Sequence, residues 1–234
     1  MRFHHRVILA AALACALIGA RPAAAHDTDP GGNLGNGVLS FTDPEPALGI
    51  SYEWKVSLLR KEKTSFTWYV GAKSWSEPTN PEGLKGWTHT SNWVAIELEE
   101  PAVLSITVER QQGVVYYAAC LPQLARGSLI PALSLYSGWD DTTVFEDHTF
   151  NNAGNFWSTI QFLGNQPNTP NKKGVAKTKV TFKTKKLPAG KYSLVIGGNP
   201  TPITTYPASD CDYLDPVCYA YTGPQGYRAT IETR

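Results

Sequence analysis

Histidine is scarce in this chain, and its placement narrows the available chemistry. Beyond Ala25 the histidines are His26, His89 and His148. His89 lies in Gly86-Trp87-Thr88-His89-Thr90-Ser91-Asn92-Trp93. In an extended chain, side chains two apart share a face, so Trp87 and His89 would lie side by side. His148 lies in a polar stretch that runs from Trp139 to Asn152. Two neutral imidazoles suit a borderline or soft transition metal, and Cu(I) accepts as few as two such ligands. The carboxylates and amide oxygens of the same stretch suit a hard cation such as calcium. Asp140, Asp141, Asp147 and Asn151 are its candidates. Simpler readings stand beside these. A loop histidine is often only solvated, an acidic Asn-rich stretch is often only a turn, and a tryptophan such as Trp87 often only packs at a core or its rim.

Other chemistries lack their residues. The chain has no G-x-S-x-G elbow, no H-E-x-x-H, no P-loop and no C-x-x-C, so the common nucleophile, zinc and phosphate motifs are missing. Few histidines remain to serve as a general base, and a non-catalytic protein is expected. The formal net charge is +1 and no basic stripe stands out, which argues against nucleic acid and an anionic membrane surface as partners.

The N-terminus gives the compartment. Met1-Arg2-Phe3-His4-His5-Arg6 is basic, Val7 to Ala20 is apolar, and Ala23-Ala24-Ala25 offers an A-x-A cut. These are the three parts of a secretory signal peptide. The expected product begins at or near His26 and is secreted, periplasmic or held at the outer cell surface. The apolar run is shorter than the roughly 20 residues that span a bilayer, and no later run is long enough, so no transmembrane segment is expected. Past the signal the cysteines are Cys120, Cys211 and Cys218. Cys211 and Cys218 flank a short loop containing Pro216 and are the natural disulfide pair in an oxidising compartment. Cys120 is then left over, either as a buried thiol, the favoured reading, or as a soft ligand or intermolecular bridge.

The elements that must position these residues are strands. Residues 26–36 read as a polar, glycine-rich arm. After it, short runs alternate apolar and polar residues with turn residues between them. They fall near Val38–Phe41, Ser51–Leu58, Ser65–Val70, Asn92–Leu98, Val103–Glu109, Val114–Ala119, Ala132–Tyr136, Phe156–Phe162, Val175–Thr184, Lys191–Ile196 and Tyr227–Glu232. Leu104, Ile106 and Val108 share one face of their run, and Ser105, Thr107 and Glu109 the other. In Leu187-Pro188-Ala189-Gly190-Lys191-Tyr192, glycine allows a turn and tyrosine packs on the core. The stretch 197–206 reads as a surface connection. No convincing helical period is present. The expected fold is all-β, an antiparallel sandwich or jelly roll, with residues 26–234 as one domain.

Several motifs together resemble a known family. They are Trp87-Thr88-His89; Asp147-His148-Thr149-Phe150-Asn151-Asn152-Ala153-Gly154-Asn155; Leu135-Tyr136-Ser137-Gly138-Trp139-Asp140-Asp141; and the close from Leu187 to Asn199. They are similar to the secreted copper-binding proteins of the MopE/CorA type from methanotrophs, over about Phe41 to Asn199. The resemblance implies a β-rich surface or periplasmic protein that holds Cu(I) through two histidines. It also implies a third contact from a tryptophan oxidised to kynurenine, with a di-haem peroxidase-like partner as the oxidant. On that resemblance Trp87 matches the modified tryptophan, His89 its neighbouring ligand and His148 the second histidine. Trp139 competes with Trp87 as the site of oxidation. Two alternatives stay open. If cleavage follows Ala25, the α-amine and imidazole of His26 could chelate Cu(II) as a histidine brace, in a carrier or an oxidative enzyme. The third alternative is a metal-free sandwich that binds carbohydrate or protein through surface tryptophans.

Overall fold

The computed structural model describes residues 38–41, 52–70, 91–118, 121–140, 159–199 and 224–234. They form strands and connections, with no helix among the described residues. The strands are β1 (Val38–Phe41), β2 (Trp54–Leu58), β3 (Lys63–Val70), β4 (Asn92–Leu98), β5 (Ala102–Arg110) and β6 (Val115–Ala118). They continue as β7 (Leu121–Leu124), β8 (Ile130–Ser137), β9 (Gln161–Gln166), β10 (Lys179–Leu187), β11 (Gly190–Asn199) and β12 (Gln225–Thr233).

Two sheets pack face to face. One has the order β1-β2-β4-β11-β8-β9, the other β10-β5-β12-β3, and β6 pairs with β7 as a separate ribbon. This is an all-β sandwich, as the alternation requires: each strand has one apolar face to bury and one polar face to leave out. The buried set includes Trp54, Val56 and Leu58 of β2, Phe66 and Trp68 of β3, and Leu104, Ile106 and Val108 of β5. The Trp54 ring lies 4.7 Å from Phe66 and 5.8 Å, edge-on, from Trp68. Fully burying side chains of this kind stabilises by about 1.5–3 kcal/mol each.

Among the described strands, one pair departs from the antiparallel expectation: β2 and β4 run parallel, Trp54 beside Val94 and Leu58 beside Leu98. The chain leaves β2 for β3 in the facing sheet and returns, so it reverses twice before β4. The hairpin between β10 and β11 behaves as its sequence suggests. Gly190 sits at φ 148°; Tyr192 is buried in the core, and its hydroxyl donates to Pro188 O at 2.7 Å.

Some expected boundaries move. The run expected near Phe156–Phe162 forms its strand at Gln161–Gln166, and the one expected from Val175 starts at Lys179. Residues 171–175 are instead bound locally by Asn171, whose Oδ1 accepts from Lys173 N and Val175 N. Gly197, Gly198 and Asn199 were expected in a surface connection; they extend β11 and pair with Ala132, Pro131 and Ile130. A Cβ on Gly198 would meet Ile130 O at 2.4 Å, so glycine there answers a close backbone approach rather than a loop. Strand β7 was not anticipated; its residues are all exposed and carry no buried face to read.

Candidate metal site and its supports

Most of the candidate ligands lie outside the described residues. This holds for Trp87, His89, His148, His26, Asp141, Asp147, Asn151, Cys120, Cys211 and Cys218. Among the described residues no group of three or more His, Cys, Asp or Glu is placed to hold a metal ion. Asp140 and Trp139 are described, as are the chain ends that flank both candidate segments: Ser91 to Trp93 after His89, and Asp140 and Thr159 on either side of His148.

Those flanks meet on the outer face of the six-stranded sheet. Alternation sends Val94 and Ile96 of β4 inward and leaves Trp93 outward. There Trp93 joins Tyr136, Ile160 and Val195 in a second apolar cluster, with Tyr52 and Phe162 packed against it. The Tyr52 ring meets Trp93 edge-on at 6.3 Å and lies 6.4 Å from Trp139. Its hydroxyl is 2.7 Å from Ser193 Oγ and accepts from Asp140 N at 3.0 Å. Tyr52 thus ties the start of β4 to the chain that leaves β8.

Gly138 makes the turn that brings this chain over the sheet. Its φ is 87°, and its N–H donates to Lys191 O at 2.8 Å. A Cβ there would meet Thr159 O at 2.2 Å, so any other residue would push the outgoing and returning chains apart. Ser193 Oγ donates to Gly138 O at 2.7 Å. Asp140 is fully buried, and its Oδ1 accepts from Thr159 Oγ1 at 2.8 Å. The two ends of the chain segment that carries His148 are therefore clasped together, and they sit beside Trp93.

Trp139 is a strut. Its indole N–H is shared between Tyr192 O at 2.9 Å and Ile96 O at 3.3 Å. Lys191 Nζ lies 4.5 Å and Lys55 Nζ 5.1 Å from its ring. Two ammonium groups against one indole repel a further cation and disfavour removal of an electron from the ring.

Sequence reasoning missed Glu53. It lies just before β2 and is buried. Its Oε2 accepts from Trp93 N at 2.5 Å, and its own N–H donates to Trp93 O at 3.0 Å. Burial pushes its carboxyl up to about 8, against opposing hydrogen bonds from Trp93, its own backbone and Asn92. Tyr69 is pushed up to about 12, first by burial and then by Glu53. Tyr227 is raised for the same two reasons, burial first. At neutral pH Glu53 is mostly a carboxylic acid that joins β2 to the start of β4. A lone glutamate before an apolar strand gave no sign of this; only the folded chain supplies the burial.

No protein-family model matches the chain, and no curated relative does. Some solved structures are distantly similar to it. One is CorA, a surface-associated copper-binding protein important in Methylomicrobium album BG8 copper acquisition. It is 13% identical with a TM-score of 0.42, over 76% of this chain and 98% of that one. Another is the Methylococcus capsulatus secreted protein MopE, in which an oxidised tryptophan facilitates copper binding. It is also 13% identical, with a TM-score of 0.41, over 73% of this chain and 84% of that one. A third is the pre-peptidase C-terminal domain of a Bacillus anthracis collagenase, at 7% identity and a TM-score of 0.33, over 76% of this chain and 94% of that one.

Proposed function

We propose that this protein is a secreted, non-catalytic copper binder that serves acquisition, storage or delivery, and that His89 and His148 hold Cu(I). The observation that carries the reading is the clasp on the outer sheet face. Tyr52 packs on Trp93 and accepts from Asp140 N, while Asp140 holds Thr159. His89 stands two residues before Ser91, and His148 stands between Asp140 and Thr159. Segments far apart in sequence thus have their supports side by side, as a shared two-histidine site needs. Two imidazoles suit Cu(I), with nitrogen–metal distances of about 2 Å.

Copper rather than calcium is the metal of this proposal, because its candidate ligands are two imidazoles, which suit a soft or borderline metal and not a hard cation. Trp87 rather than Trp139 is the tryptophan proposed to be oxidised, since Trp139 is locked between two carbonyls and two ammonium groups. With hydrogen peroxide as the oxidant, a di-haem peroxidase-like partner would cleave the C2–C3 bond of the Trp87 indole to N-formylkynurenine, and hydrolytic loss of formate would leave kynurenine, an aromatic amine able to approach the metal.

The test is Cu(I) competition titration with elemental analysis and intact mass of natively secreted protein. His89→Ala and His148→Ala should each weaken Cu(I) binding at least tenfold, about 1.4 kcal/mol or more, with an unchanged circular dichroism spectrum. An N-terminal extension ahead of His26 should leave affinity unchanged. If the extension abolishes binding while the two alanine variants retain it, the ligand is the His26 amine and the proposal fails.

A further inference from the structure

The near-even charge of the chain is not evenly spread. It holds 21 Lys+Arg and 20 Asp+Glu, but the expectation of no basic stripe is corrected by residues 161–190, which contain seven lysines and no acid. Four of these lysines lie on one edge strand and three in the loop that leads into it. Lys179, Lys183, Lys185 and Lys186 are exposed on β10, an outer edge of the four-stranded sheet. Lys172, Lys173 and Lys177 come from the loop that leads into it. At about 3.3 Å per residue, the track along the strand from Lys179 to Lys186 spans about 23 Å.

Acids across the sheet answer only part of this charge. Glu109 lies 3.7 Å from Lys179 Nζ. Glu232 feels Lys183 weakly, after Arg234 and Lys63. Lys172, Lys173, Lys177, Lys185 and Lys186 form no ion pair with a described residue.

Lysines on an edge strand commonly guard it against pairing with other chains. That role does not account for this track. The lysines continue past the strand into the loop, where there is no edge to guard, whereas the edge strand β9 (Gln161–Gln166) carries no charge at all. The loop is also held in shape. Asn168 Oδ1 accepts from Lys177 N at 2.9 Å, and its Nδ2 donates to Lys177 O at 2.7 Å and Pro131 O at 3.2 Å. Asn171 binds the turn through Lys173 N and Val175 N. Backbone fixed in this way leaves the lysine side chains as the part still to be ordered on binding.

We infer that the β10 edge and its Asn168–Asn171 loop form a docking track for a linear anionic polysaccharide. A row of spaced cations suits a chain of repeating carboxylates or sulfates, and short lysine-rich runs are a known footprint of such polymers. Hydroxyls border the track, with Thr107 Oγ1 and Thr181 Oγ1 3.0 Å apart. The aromatic of β10, Phe182, packs on the core, so the track offers no ring for base stacking, on which single-stranded nucleic acid depends.

The experiment uses the purified full secreted chain at about 150 mM salt, where only close charge contacts survive screening. Heparin and polygalacturonate are the polysaccharide probes; vesicles containing phosphatidylglycerol and a single-stranded DNA are the competitors. Binding to both polysaccharides should weaken steeply with added salt. The triple variant Lys172→Gln, Lys173→Gln, Lys185→Gln should bind roughly tenfold more weakly or worse. The charge-matched variant Arg60→Gln, Lys61→Gln, Lys63→Gln, at the start of β3 on the opposite edge of that sheet, should stay within about twofold of the parent. Equal loss in both variants would reduce the effect to overall charge and overturn the track. Absence of polysaccharide binding, or tighter binding to the vesicles or the DNA, would overturn the partner. Copper binding should be the same in all three proteins, so this result and the copper result are separable.

Discussion

The molecule has two apolar clusters, and they have different jobs. The larger lies between the sheets and draws on nearly every long strand, with Trp54, Phe66, Leu104, Ile106, Leu194 and Ile231 among its members. The smaller lies on the outside of the six-stranded sheet, where a sandwich normally faces water, and gathers Trp93, Tyr136, Ile160 and Val195 with Tyr52 and Phe162 at its margin. The first is almost purely apolar. The second is laced with polar links: Tyr52 to Ser193 and Asp140, Asp140 to Thr159, Ser193 to Gly138. The inner cluster holds the sheets together. The outer cluster holds chain ends in place on a sheet that is already formed, which is the task a binding site sets.

Truncation in the inner cluster should have the largest effect. Trp54 is fully buried and touches both sheets through Phe66 and Trp68. Trp54→Ala should cost about 3–5 kcal/mol, read as a lower urea midpoint with loss of all strand signal together. A variant that lost only copper binding and kept its urea midpoint would break the division between the clusters.

Glu53 sits where the two clusters adjoin, since Trp54 beside it faces inward and Trp93, which it binds, faces outward. Its folded carboxyl titrates near 8 against an ordinary value of 4.5. Because the folded state holds the proton more tightly, this stabilisation is complete below about pH 4.5. It falls as pH rises through the window from 4.5 to 8 and is lost above it, by a few kcal/mol at most. Urea unfolding at pH 5 and pH 9 should show the decline, and Glu53→Gln should flatten it. An equal pH slope in both proteins would remove Glu53 from the account.

Tyr52→Phe tests the outer cluster alone. It keeps the ring but deletes the hydroxyl that meets Ser193 Oγ and Asp140 N. The expected cost is about 1–2 kcal/mol, felt locally as faster proteolysis between Asp140 and Thr159 and weaker copper binding. The core signal should hardly move. Uniform destabilisation instead would mean that the outer cluster is simply more core.

The smallest effect belongs to Lys191→Gln. Lys191 is exposed and its ammonium lies 4.5 Å from the Trp139 ring. The loss should be about 0.5–1 kcal/mol or less, but Trp139 should become easier to oxidise, measured by peptide mass after mild peroxide treatment. Unchanged reactivity would separate the ammonium groups from any protective role.

Much of the fold was legible because alternation is a local property. The faces of β5 could be assigned before folding, with Leu104, Ile106 and Val108 inward, and Gly190 and Tyr192 announced their hairpin. Residues that mark both a strand period and a turn need no distant partner to be read. The MopE/CorA resemblance likewise came from short motifs, and CorA and MopE are among the solved structures to which the chain is distantly similar.

The rest was decided by which distant residues met. The parallel pairing of β2 with β4 depends on the path through β3 in the other sheet. Gly197 and Gly198 look like loop residues until Ile130 and Pro131 come alongside. Tyr52, Trp93, Asp140, Thr159 and Ser193 are ordinary in sequence, and their clasp exists only because β2, β4, β11 and the chain after β8 converge. Glu53 is an unremarkable acid until burial strips its water and raises its affinity for a proton. Sequence alone sets periodicity, turn chemistry and the inventory of ligands, because these are properties of neighbours along the chain. Desolvation, strand order and the meeting of polar groups are properties of neighbours in space, and only the tertiary structure decides them.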